Sequence, residues 1–156
     1  MTHRPKLVKP EIADSKAHYE QVYKQAIYEV YNGQETIRVQ IGECCLRLGH
    51  IAMSLSTYSH INHHSWAIIT AANPYSQILT ELENKQRHHK LRSHLQELQV
   101  PWLAALGMDQ TGIWTPEPSF WISGIELLEA IAIGRQFEQN AIVYSELHQS
   151  AELQWL

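Results

Sequence analysis

The apolar positions of this 156-residue chain change their period several times, and each change marks an element. From Glu11 to about Lys24, Ile12, Tyr19, Val22 and Tyr23 recur at helical spacing. Asn32-Gly33 is then the strongest short hairpin signal in the chain. A two-residue turn there pairs Tyr28 with Ile37 and Ala26 with Val39 on one apolar face, with Glu29, Thr36 and Arg38 on the other; Ile27 and Tyr31 fit this register badly. A second helix over Glu43 to about Tyr58 carries Leu48, Ile51, Ala52 and Leu55 on one side. The polar, histidine-rich stretch from Ser59 to Ser65 reads as a loop. Trp66 to Ala72 is almost wholly apolar and stops at Asn73-Pro74, the pattern of a central strand covered on both faces.

The clearest helix runs from Thr80 to Val100. Thr80-Glu81-Leu82-Glu83 is a capping box and Pro101 closes the far end. Its inward stripe is Leu98, Leu95 and Leu91, continued at the same spacing by His88 and Asn84, so the stripe turns polar towards the helix N-terminus. Trp102 to Leu106 and Ser119 to Ile122 predict strands around the Gly107–Gly112 loop. Ser123-Gly124-Ile125-Glu126 is a second capping box, leading a helix to about Phe137. Ala141 to Ser145 and Glu152 to Trp155 complete the strands. Residues 1–10, with two prolines and several basic groups, read as a flexible N-terminal tail, and 11–156 as one domain. The order of elements predicts an α+β sandwich on a mostly antiparallel or mixed sheet, with about five to seven strands and about four helices.

Composition narrows the function. The chain is 44% hydrophobic, enough for a real core without staples. With 16 acidic and 12 basic residues it carries a net charge of −4, which argues against nucleic acid as a partner. The basic run from Lys85 to Arg92 reads as the solvated face of a helix. Cys44 and Cys45 are adjacent and cannot close a loop, so they read as buried thiols in a reducing compartment. No run reaches the ~18 apolar residues of a membrane span, and no apolar stretch follows Met-Thr-His-Arg-Pro-Lys. A cytoplasmic protein without a membrane partner is expected.

Among the 10 histidines, His60-x-x-His63-His64 has a spacing a metal can use. No cysteine pair or His-Glu-x-x-His pattern accompanies it, so neither a metal nor another cofactor is expected. A Gly-x-Ser-x-Gly elbow and a glycine-rich phosphate loop are absent from the sequence, and Cys44 has no identifiable base. No catalytic set is assembled on these grounds, and the reading leans away from an enzyme.

Two constellations remain. Glu117, held extended between Pro116 and Pro118, joins Thr70, Asn73, Asn84, His88, Gln139 and Asn140 as a candidate ligand cluster. Uncharged polar groups at the edges of apolar elements need partners, so the alternative is a buried hydrogen-bond network. Either way Asn73, Asn84 and Asn140 are expected together at one end of the sheet. The second constellation is aromatic: Tyr28, Tyr31, Trp114 and Trp155 are candidate partner-binding residues, with Tyr31 and Trp155 expected at open strand edges.

Thr70-Ala71-Ala72-Asn73-Pro74, Asn84, Trp114 with Glu117-Pro118-Ser119, and Gly134 through Ala141 occur in that order. Together they resemble the signature of a bacterial domain-of-unknown-function family, over about Tyr19 to Trp155. That family reads Thr-Ala-Trp-Asn-Pro, Glu-Glu-Ser and Phe-Gly-Gln-Asn-Ala at these places, and this chain departs at Ala72, Pro118 and Glu138 and in a longer loop at His60–His64. The resemblance implies a common fold and no transferable activity. The expected function is therefore a binding, adaptor or assembly-factor module that recognises another protein or peptide through an aromatic and apolar surface, with self-association compatible. The alternative is an enzyme or sensor acting on a small polar, nucleotide-like molecule at a Thr/Asn/Glu pocket. A shallow apolar groove or open strand edge favours the first, and a deep polar pocket the second.

Overall fold

The computed structural model describes residues 7–59, 64–112, 114–146 and 148–156. Its elements follow the order α1 (Ile12–Lys24), β1 (Ile27–Tyr31), β2 (Thr36–Gln40), α2 (Leu46–Ser59), β3 (Trp66–Thr70), α3 (Glu81–Leu98), β4 (Trp102–Met108), β5 (Glu117–Ser123), α4 (Leu127–Gln136), β6 (Ala141–Ser145) and β7 (Glu152–Trp155). The strands form one seven-stranded sheet in the order β2-β1-β4-β5-β3-β6-β7. Every ladder is antiparallel. The α+β class and the expected numbers of helices and strands hold. Of the expected tail, residues 1–6 lie outside the described residues, as do His60 and His63 of the histidine-rich loop.

Alternation along the strands sorts the side chains into two cores. On one face Ala67, Ile69, Phe120 and Ile122 pack under Leu91 and Leu95 of α3, Ala130 and Ile133 of α4, and Phe137 at its C-cap. On the other, Val30, Ala105, Trp121, Ile68 and Val143 meet Leu48 and Ala52 of α2. β3 lies between β5 and β6 and is buried over Trp66–Ile69, as a continuous apolar run at a sheet centre requires. In α3, Thr80 accepts from the Glu83 N–H while the Glu83 carboxylate accepts from the Thr80 N–H, so the capping box forms.

Five local expectations are corrected. Tyr28 pairs with Val39, and Tyr31 with Thr36, so the hairpin register is two residues from the expected one. The turn holds four residues because Asn32 Oδ1 accepts from the N–H groups of both Gln34 and Glu35, an Asx turn that outcompetes the two-residue hairpin. A shift of two preserves which side chains share a face, so Val30, Ile37 and Val39 are still buried together. The second capping box does not form: Ser123 ends β5 opposite Trp66, and the N-cap of α4 is Glu126 without a side-chain cap bond. Leu98, at the last turn of α3, is 44% exposed, since the helix outruns the core it covers. Arg87 is not part of a solvated basic face. Its guanidinium turns inward, donating from Nε to the Ala71 carbonyl at 2.5 Å and from Nη2 to the Phe137 carbonyl at 2.5 Å, and pairs with Glu138 at 3.3 Å. Finally, Cys44 is exposed and Cys45 only half-buried against the margin of the α2 core, just ahead of α2, where the Gly42 N–H donates to the Ala151 carbonyl and the Ala151 N–H to the Glu43 carbonyl.

The contact of α4 with β6 depends on a residue without a side chain. A methyl group at Gly134 would fall 2.5 Å from Leu156 Cδ1 and 2.8 Å from Ile142 Cγ2. Gly134→Ala should therefore destabilise the protein by ~1–3 kcal/mol in urea unfolding, although alanine is the better helix former by about 1 kcal/mol. The loss should be non-additive with Leu156→Ala, which removes one of the two obstructing atoms.

Candidate functional site

The site is built where β3 ends. Thr70 Oγ1 donates to the Pro118 carbonyl at 2.8 Å and accepts from the Ala72 N–H at 3.0 Å, which turns the chain out of the sheet. The following segment is costly. Asn73, Tyr75 and Ser76 all adopt left-handed backbone, with φ of 47°, 50° and 60°. Non-glycine residues held there cost of order 1–3 kcal/mol each and persist only where surrounding contacts over-determine them. Those contacts come chiefly from Asn73. Its Oδ1 accepts from the Leu79 N–H at 3.0 Å and from Asn84 Nδ2 at 2.9 Å, and its N–H donates to Asn84 Oδ1 at 2.9 Å. With the oxygen taken by two donors, the amide nitrogen has one orientation left, and it donates to Glu117 Oε1 at 3.0 Å.

The other amides extend this network. Gln139 Nε2 donates to the carbonyls of Ala72 at 3.1 Å and Phe137 at 3.0 Å. Asn140 Nδ2 donates to Ser76 Oγ at 3.1 Å, and Asn140 Oδ1 accepts from Ser15 of α1 at 3.4 Å. The Ser76 N–H donates to the Asn73 carbonyl at 2.9 Å, so Asn73, Asn84 and Asn140 are joined through one turn at one end of the sheet. His88 is not brought to this group. Its ring stacks on Phe120 with centroids 4.3 Å apart, against the opposite face of the sheet, and burial, then the charge of Arg92, lowers its pKa. The sequence stripe linked His88 to Asn84 correctly along the helix, but only the helix end reaches the turn.

Beside this network opens a cleft between α1, the sheet and the loop that joins β4 to β5. Its interior offers about 140 Å³ to the centres of water-sized molecules, roughly ten times the ~10–15 Å³ that lodges one water on that measure. The floor follows from strand register. Tyr28 of β1 lies opposite Gly107 of β4, and Gly107 lies opposite Glu117 of β5, so the three form one cross-strand row on one face. With no side chain at the centre, the Tyr28 ring lies over the strand: a Cβ at Gly107 would be 3.3 Å from Tyr28 Cε1. Apolar walls come from Ile68, Val143 and Leu153, and a ring-bearing rim from Tyr19, Tyr23 and Trp114. Tyr19 stacks on Tyr23, and Tyr23 on Trp155 of β7, with centroids 5.7 Å and 5.4 Å apart. The Tyr23 hydroxyl is hydrogen-bonded to Ser76 Oγ, tying α1 to the strained turn.

Two polar groups point into this space. Glu117 Oε2 takes no hydrogen bond among the described residues, and it is not sealed as His88 Nδ1 and Trp121 Nε1 are, so it opens to the cleft. The Tyr28 hydroxyl is in the same position. Burial raises the Glu117 carboxyl above its usual range, with the Asn73 donor acting in the opposite sense. Burial also raises the Tyr28 phenol, and the Glu117 charge and then Tyr23 add to it. A carboxyl and a phenol so placed can hold a hydrogen-bonding guest or exchange a proton with it. Among the described residues no three His, Cys, Asp or Glu side chains gather as a metal site would need.

Of the candidate ligand residues, Thr70, Asn73, Glu117 and Gln139 line the cleft, while Asn84 and Asn140 support it from behind. Of the candidate partner residues, Tyr28 and Trp114 line it too, and Trp114 is 47% exposed at its rim. Trp155 is on an edge strand but half-buried against Tyr23. Tyr31 is not at an open edge, since β1 is paired on both sides, with β2 and β4. Tyr23, Ser76 and Gly107 were missed by sequence reasoning. Tyr19 and Tyr23 had helical spacing as a signal, but Gly107 gave none beyond the start of a loop.

Residues 69–142 match the model of a family described as "Protein of unknown function (DUF3293)". The matched stretch begins in β3 and ends in β6, and so includes Asn73, Asn84, Gly107, Glu117 and Gln139 but neither α1 nor Tyr28. No curated protein and no solved structure matches the chain.

Two outcomes test the network. Asn84→Ala removes both bonds to Asn73 and should cost ~1–3 kcal/mol in chemical denaturation, as unpaired half-buried amides do. Glu117→Gln keeps an oxygen for Asn73 and removes the charge. Because the folded carboxyl has a raised pKa, the native state holds its proton more tightly than the unfolded chain. The ionised group therefore costs stability as pH rises through the usual carboxylate range to the raised value, and above it. The variant should melt higher than the parent at about pH 7–8, and the two should converge towards about pH 4.

Proposed function

We propose that the protein binds a small molecule in the cleft over Tyr28, Gly107 and Glu117, as a binding or sensing module or as an enzyme using that carboxyl. The observation that carries this reading is Glu117 Oε2, without a hydrogen-bond partner among the described residues and presented to a largely apolar space, with its other oxygen fixed by Asn73. Small-molecule sites have this composition: apolar and aromatic walls with few placed polar groups. The strained turn supports it, since backbone cost of this kind concentrates at sites that must hold one geometry. The motifs behind the resemblance to a bacterial family, Thr70–Pro74, Asn84, Glu117 and Gln139-Asn140, converge here, and we read them as the marks of a shared site.

Recognition of a protein or peptide has less support, because Tyr28 and Trp114 are engaged in the cleft and Tyr31 is on an interior strand. A cytoplasmic location accompanies our reading. Among the described residues, no helix is long and apolar enough to cross a membrane.

A thermal-shift screen of a metabolite collection tests the proposal. A ligand at a hundred times its Kd contributes about 2.7 kcal/mol, which for a domain of this size raises the melting temperature by roughly 5–10 °C. Gly107→Val, which forces a side chain into the cleft floor, should remove that shift. If no compound shifts the parent protein, or if the shift survives in Gly107→Val, the cleft is not the site.

A further inference from the structure

We infer that the guest of this cleft is an organic cation, an amine or amidine carried on an apolar or aromatic body, whose charged head rests against Glu117. The inference rests on the small-molecule reading above and adds the charge of the ligand. The charged side chains that line the cleft are both acidic, Glu117 within and Asp109 at the rim. No lysine, arginine or histidine lines it among the described residues. Phosphate or carboxylate ligands need such groups, or a cradle of backbone N–H donors, to offset their desolvation. A nucleotide, the expected alternative from sequence, therefore finds its base accommodated and its phosphates opposed.

The burying of Glu117 without a cationic neighbour is costly when the group is ionised. Asn73 supplies one hydrogen bond to it, but an amide carries no charge. A cationic guest provides what the fold leaves out, and the rings of Tyr28 and Trp114 suit a cation as well as an apolar body, with the Tyr19–Tyr23 stack as an apolar wall. The same charge could be met by a metal ion, but among the described residues no group of three His, Cys, Asp or Glu side chains is placed to hold one. The apolar share of the lining, Ile68, Val143 and Leu153, also favours a carbon skeleton over a hydrated ion.

The test is saturation-transfer NMR with three compounds of matched shape: 2-phenylethylamine, 2-phenylethanol and 3-phenylpropionate, each titrated against the full chain. The amine is expected to bind about tenfold or more tightly than the alcohol, and the carboxylate not measurably. In Glu117→Gln, which retains the bond from Asn73, the amine should fall to the affinity of the alcohol while the alcohol is unchanged. Equal affinities for the three compounds, or an amine unaffected by Glu117→Gln, would overturn the cation while leaving the cleft as a small-molecule site. No transfer to any of the three would overturn both. Amine binding that persists in Gly107→Val would show attachment elsewhere on an acidic surface, and would also overturn the inference.

Discussion

One side-chain amide organises this end of the molecule. Asn73 spends its oxygen on Leu79 and Asn84, its backbone N–H on Asn84 and its nitrogen on Glu117. Each bond fixes something different: the oxygen bonds fix the turn after β3 and the entry to α3, and the nitrogen fixes a carboxyl at the start of the neighbouring strand β5. Were the amide reversed, its oxygen would face the Glu117 carboxylate and its nitrogen the Leu79 N–H, both repulsive, so the arrangement has a single solution. The left-handed backbone at Asn73, Tyr75 and Ser76 is held in place by these bonds and by those of Ser76 with Asn140 and Tyr23.

From that point the two faces of the sheet take different roles. The face under α3 and α4 is filled with hydrocarbon and pinned by Arg87, whose guanidinium satisfies the Ala71 and Phe137 carbonyls. The face under α2 is filled with hydrocarbon around Leu48 and Ala52, and beside that cluster lies the cleft bordered by α1. α1 adds little hydrocarbon to the core; it is held by Ser15, by Tyr23 and by the stack on Trp155. Helix, sheet and turn are thus joined at the cleft by polar and aromatic contacts rather than by a continuous core.

Most of the fold was legible in the sequence because period and punctuation agreed. Trp66–Ile69 read as a central strand and is one, and the Thr80 box opens α3 as its residues require. The misreadings share a cause, which is competition between local signals. Asn32-Gly33 has the chemistry of a two-residue turn, yet the Asn32 side chain can also cap a longer one, and strand register decides between them. Ser123-Gly124-Ile125-Glu126 has the letters of a capping box, yet Ser123 is claimed by its ladder with Trp66. The polar cluster was visible because Asn73, Asn84 and Asn140 interrupt apolar patterns. Its cleft was not, since the row of Tyr28, Gly107 and Glu117 joins residues remote in sequence and exists only once the strands are paired. Arg87 was hidden by its neighbours, six polar or charged residues among which only a tertiary contact marks it out.

The absence of a side chain at Gly107 has a wider meaning. The floor of the cleft includes a strand position with no side chain, next to the end of β4, where glycine is otherwise a weakness. That makes position 107 a diagnostic character. Any related chain that keeps this register but carries a side chain there must shift the aromatic ring beside it to make room. A single letter in a sequence then reports how closely the Tyr28 ring can lie against its neighbouring strand in chains that share this pairing.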